Sequence, residues 1–355
     1  RNDHKVTVFE KDQFGQAASQ AGAGMLAPQA EAKFEEEALM KLGQLSLSWY
    51  PAFLAQLKDD LGQAPEFDQC GTLLVGVSRD DTAQLKRLFQ FRESLNLDIE
   101  WLTGSEARAQ VPALSPRVSS AMWLPNDAQI DNHQLLRDLV RVLQKQDQSL
   151  EEQVKVTSLQ KLDSHHWQVQ TNRGQVADFD QVVIASGAWS HTFQEAAGDV
   201  DFGLRPVKGE LLALTQTAAL PLTTMIRTPR AYMVPKADGS LLIGATSYEK
   251  GFDNRPSAGG VKDLLEFGYE TLPAIYDLPL EHIRVGLRPA TRDNSPAIGP
   301  VASGAYWATG HYRHGYLLAP LTAYALVQWL HKEEPDPLIA SFSPERFKPA
   351  QVHES

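Results

Sequence analysis

The sequence predicts a mixed α/β and α+β chain, in which an α/β domain with parallel strands is interleaved with a domain built on an antiparallel sheet. Three observations predict it. Two short runs read as buried parallel strands, the β-branched run Lys5 to Glu10 near the start and Gln181 to Ala185, continuously apolar from Val182, at mid-chain. Between Arg205 and Gly286, strand-like runs recur at short spacing and one pair is joined by a turn. Amphipathic helical stretches separate these segments.

Taken in order, Lys5-Val6-Thr7-Val8-Phe9-Glu10 is a β-branched run ending in an acid. Phe14 to Pro28 is rich in Gly, Ala and Ser, which lets backbone approach a neighbour closely. Glu35 to Leu61 shows helical periodicity through Leu39, Leu42, Leu45, Trp49 and Phe53. Gly71 to Val77 reads as a strand, and Asp80 to Leu95 and Asn132 to Lys145 as helices. Val154 to Leu159 and Trp167 to Thr171 read as an antiparallel pair. Leu211 to Leu214, Tyr232 to Val234 and Leu241 to Ala245 read as strands, the last two joined by Lys236-Ala237-Asp238-Gly239. A helix is expected over about 260–272, and Tyr316 to Leu330 reads as a buried helix, too short and too interrupted to cross a bilayer. Glu35-Glu36-Glu37 reads as a helix start, where acids suit the dipole.

The chain has 355 residues, with 33 Lys and Arg against 44 Asp and Glu, a net charge of −11. That balance argues against nucleic acid or an anionic membrane surface as the main partner. Cys70 is the one cysteine, which excludes a disulfide framework and a Cys-based zinc site and suits a reducing, cytoplasmic compartment. His165-His166 reads as a hairpin turn, since a metal needs more ligands; no metal site is expected. No signal peptide is read at Arg1.

Glu10 stands where a Rossmann-type fold grips a ribose hydroxyl, and the Gly-rich phosphate loop of such a unit lies ~20 residues earlier. Counting back passes residue 1, so the first strand and that turn are expected to be missing from this chain and to lie within ~30 residues upstream. Alone, Glu10 also reads as a solvated strand end. Val182-Val183-Ile184-Ala185-Ser186-Gly187-Ala188-Trp189-Ser190 adds a buried strand that stops in a small-residue turn, where Gly187 lets backbone approach a phosphate or ribose.

Further motifs are Ala18-Ser19 with Ala23-Gly24-Met25-Leu26-Ala27-Pro28, Pro206-Val207-Lys208-Gly209-Glu210 and Tyr232-Met233-Val234-Pro235. Gly286-Leu287-Arg288-Pro289 and Gly310-His311-Tyr312-Arg313-His314-Gly315 complete the set. With these motifs in this order across almost the whole chain, it resembles the FAD-dependent amino-acid oxidase family (D-amino-acid oxidase-like), and within it the glycine oxidase branch of thiamine biosynthesis. The resemblance implies an FAD-binding domain over 1–63, 130–205 and 284–355, and a substrate-binding domain over 64–129 and 206–283.

It implies oxidation of glycine or another small amino acid or amine to the imine, with electrons passing through FAD to oxygen or another acceptor. The imine is hydrolysed or used in thiazole synthesis. A D-amino-acid or secondary-amine dehydrogenase remains an alternative, as does a non-catalytic chain that keeps the fold without a working FAD site. The oligomeric state stays open.

Arg288 matches the family's carboxylate-binding arginine, and a planar guanidinium fork suits a carboxylate. Tyr232 matches its active-site tyrosine, Arg313 a second active-site arginine, and Met25 a pocket-lining methionine. Arg230 is given a place at the pocket rim. Read without the family, Arg288 and Arg313 fit surface roles, and Tyr232 and Met25 fit the core. For the cofactor, the resemblance points to Glu10 on the ribose, Val156 on the adenine, and Ser19, Gly24, Met25, Gly187 and Trp189. To these it adds Gly310, Arg313, Gly315, Tyr316 and Leu317, at a helix start whose positive end faces the flavin. His311 and His314 are expected to be positional, and Cys70 does not sit where relatives attach flavin covalently, so non-covalent FAD is expected.

Overall fold

The computed structural model describes residues 4–163, 166–198, 200–218 and 220–348. His165 lies outside them, so the His165-His166 reading is described only at His166, which bonds Asp163.

The largest sheet has eight strands, in the order Leu280–Ala290, Arg205–Thr215, Ser240–Gly244, Tyr232–Pro235, Met225–Arg227, Thr72–Gly76, Ser120–Leu124 and Glu100–Thr103. All neighbours are antiparallel except Met225–Arg227 beside Thr72–Gly76, which are parallel. Lys236 and Gly239 close the expected hairpin through Gly239 N–H to Lys236 C=O at 3.0 Å. Alternation along the strands gives the sheet two apolar faces. Leu73, Val75, Leu212, Leu214, Ile226, Met233 and Ile243 pack with Leu264 of the helix Ala258–Thr271. Leu74, Met122, Leu211, Met225, Val234 and Leu242 pack against Ala23, Ala27 and Ala30 of the small-residue segment. Covering both faces explains why the sheet's strands read as continuous apolar runs.

The remaining strands form smaller sheets. Thr7–Glu10 pairs in parallel with Ser149–Glu152, and Val183–Ile184 in parallel with Tyr306–Thr309. Val156–Lys161 and Trp167–Thr171 form the expected antiparallel pair. The helices Glu37–Leu61, Asn132–Lys145 and Gly315–Leu330 share one core through Leu42, Tyr50, Leu135, Leu318 and Leu321. Among the described residues no helix is long and apolar enough to cross a membrane.

Three expectations shift in detail. The strand expected over Gln181 to Ala185 is only Val183–Ile184, and Val183 is 45% exposed. Its second apolar face borders a cavity, not core. Leu280–Ala290 is one strand of the large sheet, so it runs through the expected boundary at 283/284. Of the three glutamates read as a helix start, only Glu37 is in the first turn, and Glu36 points to Arg313.

Candidate active site

A cavity of about 520 Å³ lies between the large sheet and the start of the helix Gly315–Leu330. Its lining brings together Ser19, Gly24, Met25, Gly187, Tyr232, Arg288, Arg313, Gly315, Tyr316 and Leu317. Residues from sequence positions 19 to 317 therefore converge on one space. Glu10, Val156, Trp189 and Gly310 are outside that lining. Glu10 ends its strand, its carboxylate accepting Asp12 N–H at 2.9 Å and its carbonyl accepting Val154 N–H at 2.9 Å. Lys11 beside it stacks on Trp189 at 3.8 Å, and Val156 starts the neighbouring antiparallel sheet. Gly310 has a local reason to be glycine: a Cβ there would meet Thr291 Cγ2 at 2.3 Å, and its φ is +74°.

The sheet supplies one wall. Arg288 and Tyr232 stand on the same face with two strands between them, across the register Val207–Arg288, Leu211–Gly244 and Tyr232–Gly244. Two glycines make room for them. A Cβ on Gly209 would lie 2.4 Å from the Arg288 guanidinium, and one on Gly244 would lie 2.5 Å from the Tyr232 hydroxyl. Arg288 Nη1 donates to the Thr246 carbonyl at 3.1 Å, and among the described residues it has no carboxylate partner. Burial raises the Tyr232 phenol above its usual range, while Arg288 beside it pulls the other way.

The opposite wall also carries an arginine, in another electrostatic state. Arg313 is paired with both Glu31 and Glu36, and Glu31 is shared with Arg227. Burial alone would raise the Glu31 carboxyl; Arg227 and Arg313 overcome it and hold it down at about 2. The short helix Pro28–Glu31 that presents Glu31 is clamped at both ends. Asp127, fully buried, accepts Gln29 and Ala30 N–H, each at 3.1 Å. Arg92, also buried, donates to the Ala30 and Ala32 carbonyls at 2.9 and 3.1 Å. Sequence reasoning missed Glu31, Arg92 and Asp127. Arg230 is outside the cavity lining; it pairs with Glu270 and stacks on Phe267 at 4.4 Å.

The helix start completes the cavity. Its first N–H groups have no intrahelical partner by position, the first turn carries no acid, and no side chain caps it. Gly315, Tyr316 and Leu317 thus offer a row of donors and a positive dipole end to the cavity, which suits an electron-accepting group that gains negative charge. Pro320 cannot bond back to the Tyr316 carbonyl, and the Tyr50 hydroxyl donates to it instead. Gly187, at φ +55° with nothing within 4 Å of its would-be Cβ, leaves the strand-end turn bare on the cavity side. His311 and His314 are pushed down by burial to about 4 and about 3, so both are neutral near pH 7, and His311 Nε2 lies 3.0 Å from Thr322 Oγ1. Cys70 is away from the lining, its thiol raised to about 11 by burial and then by Asp68.

The chain is similar to known proteins over most of its length. Glycine oxidase of Geobacillus kaustophilus (strain HTA426) is 32% identical over 343 residues, covering 96% of this chain and 90% of that protein. Its crystal structure superposes with a TM-score of 0.91, covering 97% of this chain and 92% of that one. The bifunctional protein ThiO/ThiG of Trichormus variabilis is also 32% identical over 348 residues; the chain spans about half, 52%, of its length. Iminodiacetate oxidase from Chelativorans sp. BNC1, at 22% identity and a TM-score of 0.84, shares the fold. A family model described as DAO, FAD dependent oxidoreductase, matches residues 1–329. The family model spans most of the chain, and the protein belongs to the DAO family of FAD-dependent oxidoreductases.

Proposed function

We propose that the protein oxidises glycine or another small amino acid or amine to the imine. The observation that carries this reading is the charge state of the two arginines lining the cavity: Arg313 is neutralised by two glutamates, and Arg288 faces the cavity without a carboxylate partner among the described residues. A substrate carboxylate therefore has one place to go. Arg288 would bind it through its fork, and Tyr232 would add a hydroxyl donor from the same wall. Bound FAD would supply the hydride acceptor. The residues positioned to hold it are Gly315, Tyr316 and Leu317 at the helix start, with Ser19, Gly24, Met25 and Gly187 along the cavity. The apolar lining from Met25, Leu211 and Leu317 would keep water from the Cα–H that leaves.

Anaerobic titration tests the reading. The purified holoprotein should show flavin bands that bleach on adding glycine, and acid precipitation should release the flavin into the supernatant. A protein whose flavin is reduced by none of a panel of amino acids and N-methyl amines would refute it. Reduction by amino acids without reoxidation in air would mark a dehydrogenase.

A further inference from the structure

The run Lys208-Gly209-Glu210 is absorbed by none of these roles. We propose that it positions Arg288: Gly209 gives the guanidinium a place to lie, the Lys208 and Glu210 main chain holds the near end of the loop whose Thr246 carbonyl orients it, and the buried Lys208–Glu210 side-chain pair ties down the far end of that loop. The proposal rests on the reading of Arg288 as the carboxylate clamp.

Gly209 is on the cavity face of the strand Arg205–Thr215, and Lys208 and Glu210 point to the other side. The guanidinium lies directly over Gly209: a Cβ there would be 2.4 Å from Nη2 and 2.5 Å from Cζ. Gly209 has no left-handed φ. Space, not backbone conformation, is what requires a glycine.

On the far side, Lys208 Nζ and Glu210 Oε1 are 2.9 Å apart with side chains 4% and 0% exposed. An ion pair so deep is costly to desolvate, and apolar residues would fill the space without that cost. Apolar residues could not bond a loop. Glu210 accepts Ser257 N–H at 3.0 Å and Ser257 Oγ–H at 3.1 Å, and Lys208 Nζ donates to the Arg255 carbonyl. Backbone bonds fix the near end of the same loop: Lys208 and Tyr248 exchange N–H···O bonds of 2.8 and 3.0 Å. Glu210 N–H donates to Thr246 Oγ1 at 2.9 Å, and Thr246 N–H to the Glu210 carbonyl at 3.2 Å. The segment 246–257 is thus tied to the strand at both ends. Its Thr246 carbonyl is the acceptor, at 3.1 Å, that fixes Arg288 Nη1.

The test uses the holoprotein and acetate, a carboxylate that cannot be oxidised by this chemistry, titrated by its perturbation of the flavin spectrum. Gly209→Ala introduces a Cβ whose three nearest neighbours are all atoms of the Arg288 guanidinium, the far end of a long side chain, so melting temperature and FAD content should stay at wild-type values. The acetate Kd should rise about tenfold, the loss of one charged hydrogen bond. In an Arg288→Lys background the same change should add little, since the partner it displaces is gone. Lys208→Met with Glu210→Leu removes both charges, leaving neither buried alone; amide exchange across 246–257 should quicken and acetate should again weaken. The proposal is overturned if Gly209→Ala and the double replacement bind acetate as wild type does. It is overturned as well if Gly209→Ala weakens acetate equally in the Arg288→Lys background, which would mark a general structural effect. Wild-type protein that binds no acetate would instead remove the clamp reading, and the proposal with it.

Discussion

The two walls of the cavity use the same side chain in opposite ways. On the sheet wall, Arg288 rests on glycine and bonds the Thr246 carbonyl, with no carboxylate partner among the described residues. On the helix wall, Arg313 is bracketed by Glu31 and Glu36, and a neighbouring arginine shares Glu31. On the proposed reading, one arginine is a receptor and the other a structural tie. The difference comes from what stands within reach of each side chain, and residue type alone does not reveal it.

The tie should break hardest. Glu31→Gln leaves Arg227 without its carboxylate in a largely buried setting and should cost about 3 kcal/mol, read as a fall in melting temperature. The pH dependence follows from the same pairing. The Glu31 carboxyl sits at about 2 in the fold against 4.5 ordinarily, so its stabilisation is full above about pH 4.5 and is lost as pH falls toward 2. Wild-type melting temperature should drop through that window more steeply than that of Glu31→Gln. Equal acid sensitivity in the two proteins would contradict the assignment.

Breaking the receptor should leave stability alone and strike binding. Arg288→Ala should weaken amino-acid capture by about two orders of magnitude, because two charged hydrogen bonds of ~1.5–3 kcal/mol are lost. Arg288→Lys should recover part of this, since a point charge cannot form the fork. FAD content should not change. If Arg313→Ala proved the more damaging to substrate affinity at equal stability, the roles of the two walls would be reversed.

The smallest effect sharpens the sheet wall. Tyr232→Phe removes one hydroxyl donor beside Arg288 and should raise KM severalfold, about 1 kcal/mol, with little change in melting temperature. An unchanged KM would limit Tyr232 to packing.

Much of the sheet wall was legible in the sequence. The runs around Tyr232 and Leu241 with the Lys236–Gly239 turn gave a hairpin by period and turn chemistry, and the structure has it. Arg288 was singled out by its match to the family's carboxylate-binding arginine, with apolar flanks that weighed against a surface ion pair. The helix wall was not legible for a physical reason. Arg313 and its partner Glu31 are 282 residues apart, and a pairing at that separation leaves no local pattern. Glu36 was read from its neighbours as a helix-start acid, which is what local rules support, but it is the N-cap residue and turns toward Arg313. Arg92 sits on an amphipathic helix whose other arginines, Arg79 and Arg87, and lysine, Lys86, face water; only the tertiary fold shows that this one is 1% exposed and holds the Glu31 turn. The apolar run at Val182 to Ala185 was legible as a strand, but not that one of its faces would line a cavity.

Gly209 and Gly244 make no side-chain contact, yet each lies under a functional group that could not occupy its position above a methyl. Tolerance to substitution at this site is therefore set in part by residues that contribute no side chain to it. A lineage drifting toward a new substrate has more freedom to exchange the visible polar groups than to fill the bare floor beneath them, because each added carbon there displaces an arginine or a tyrosine.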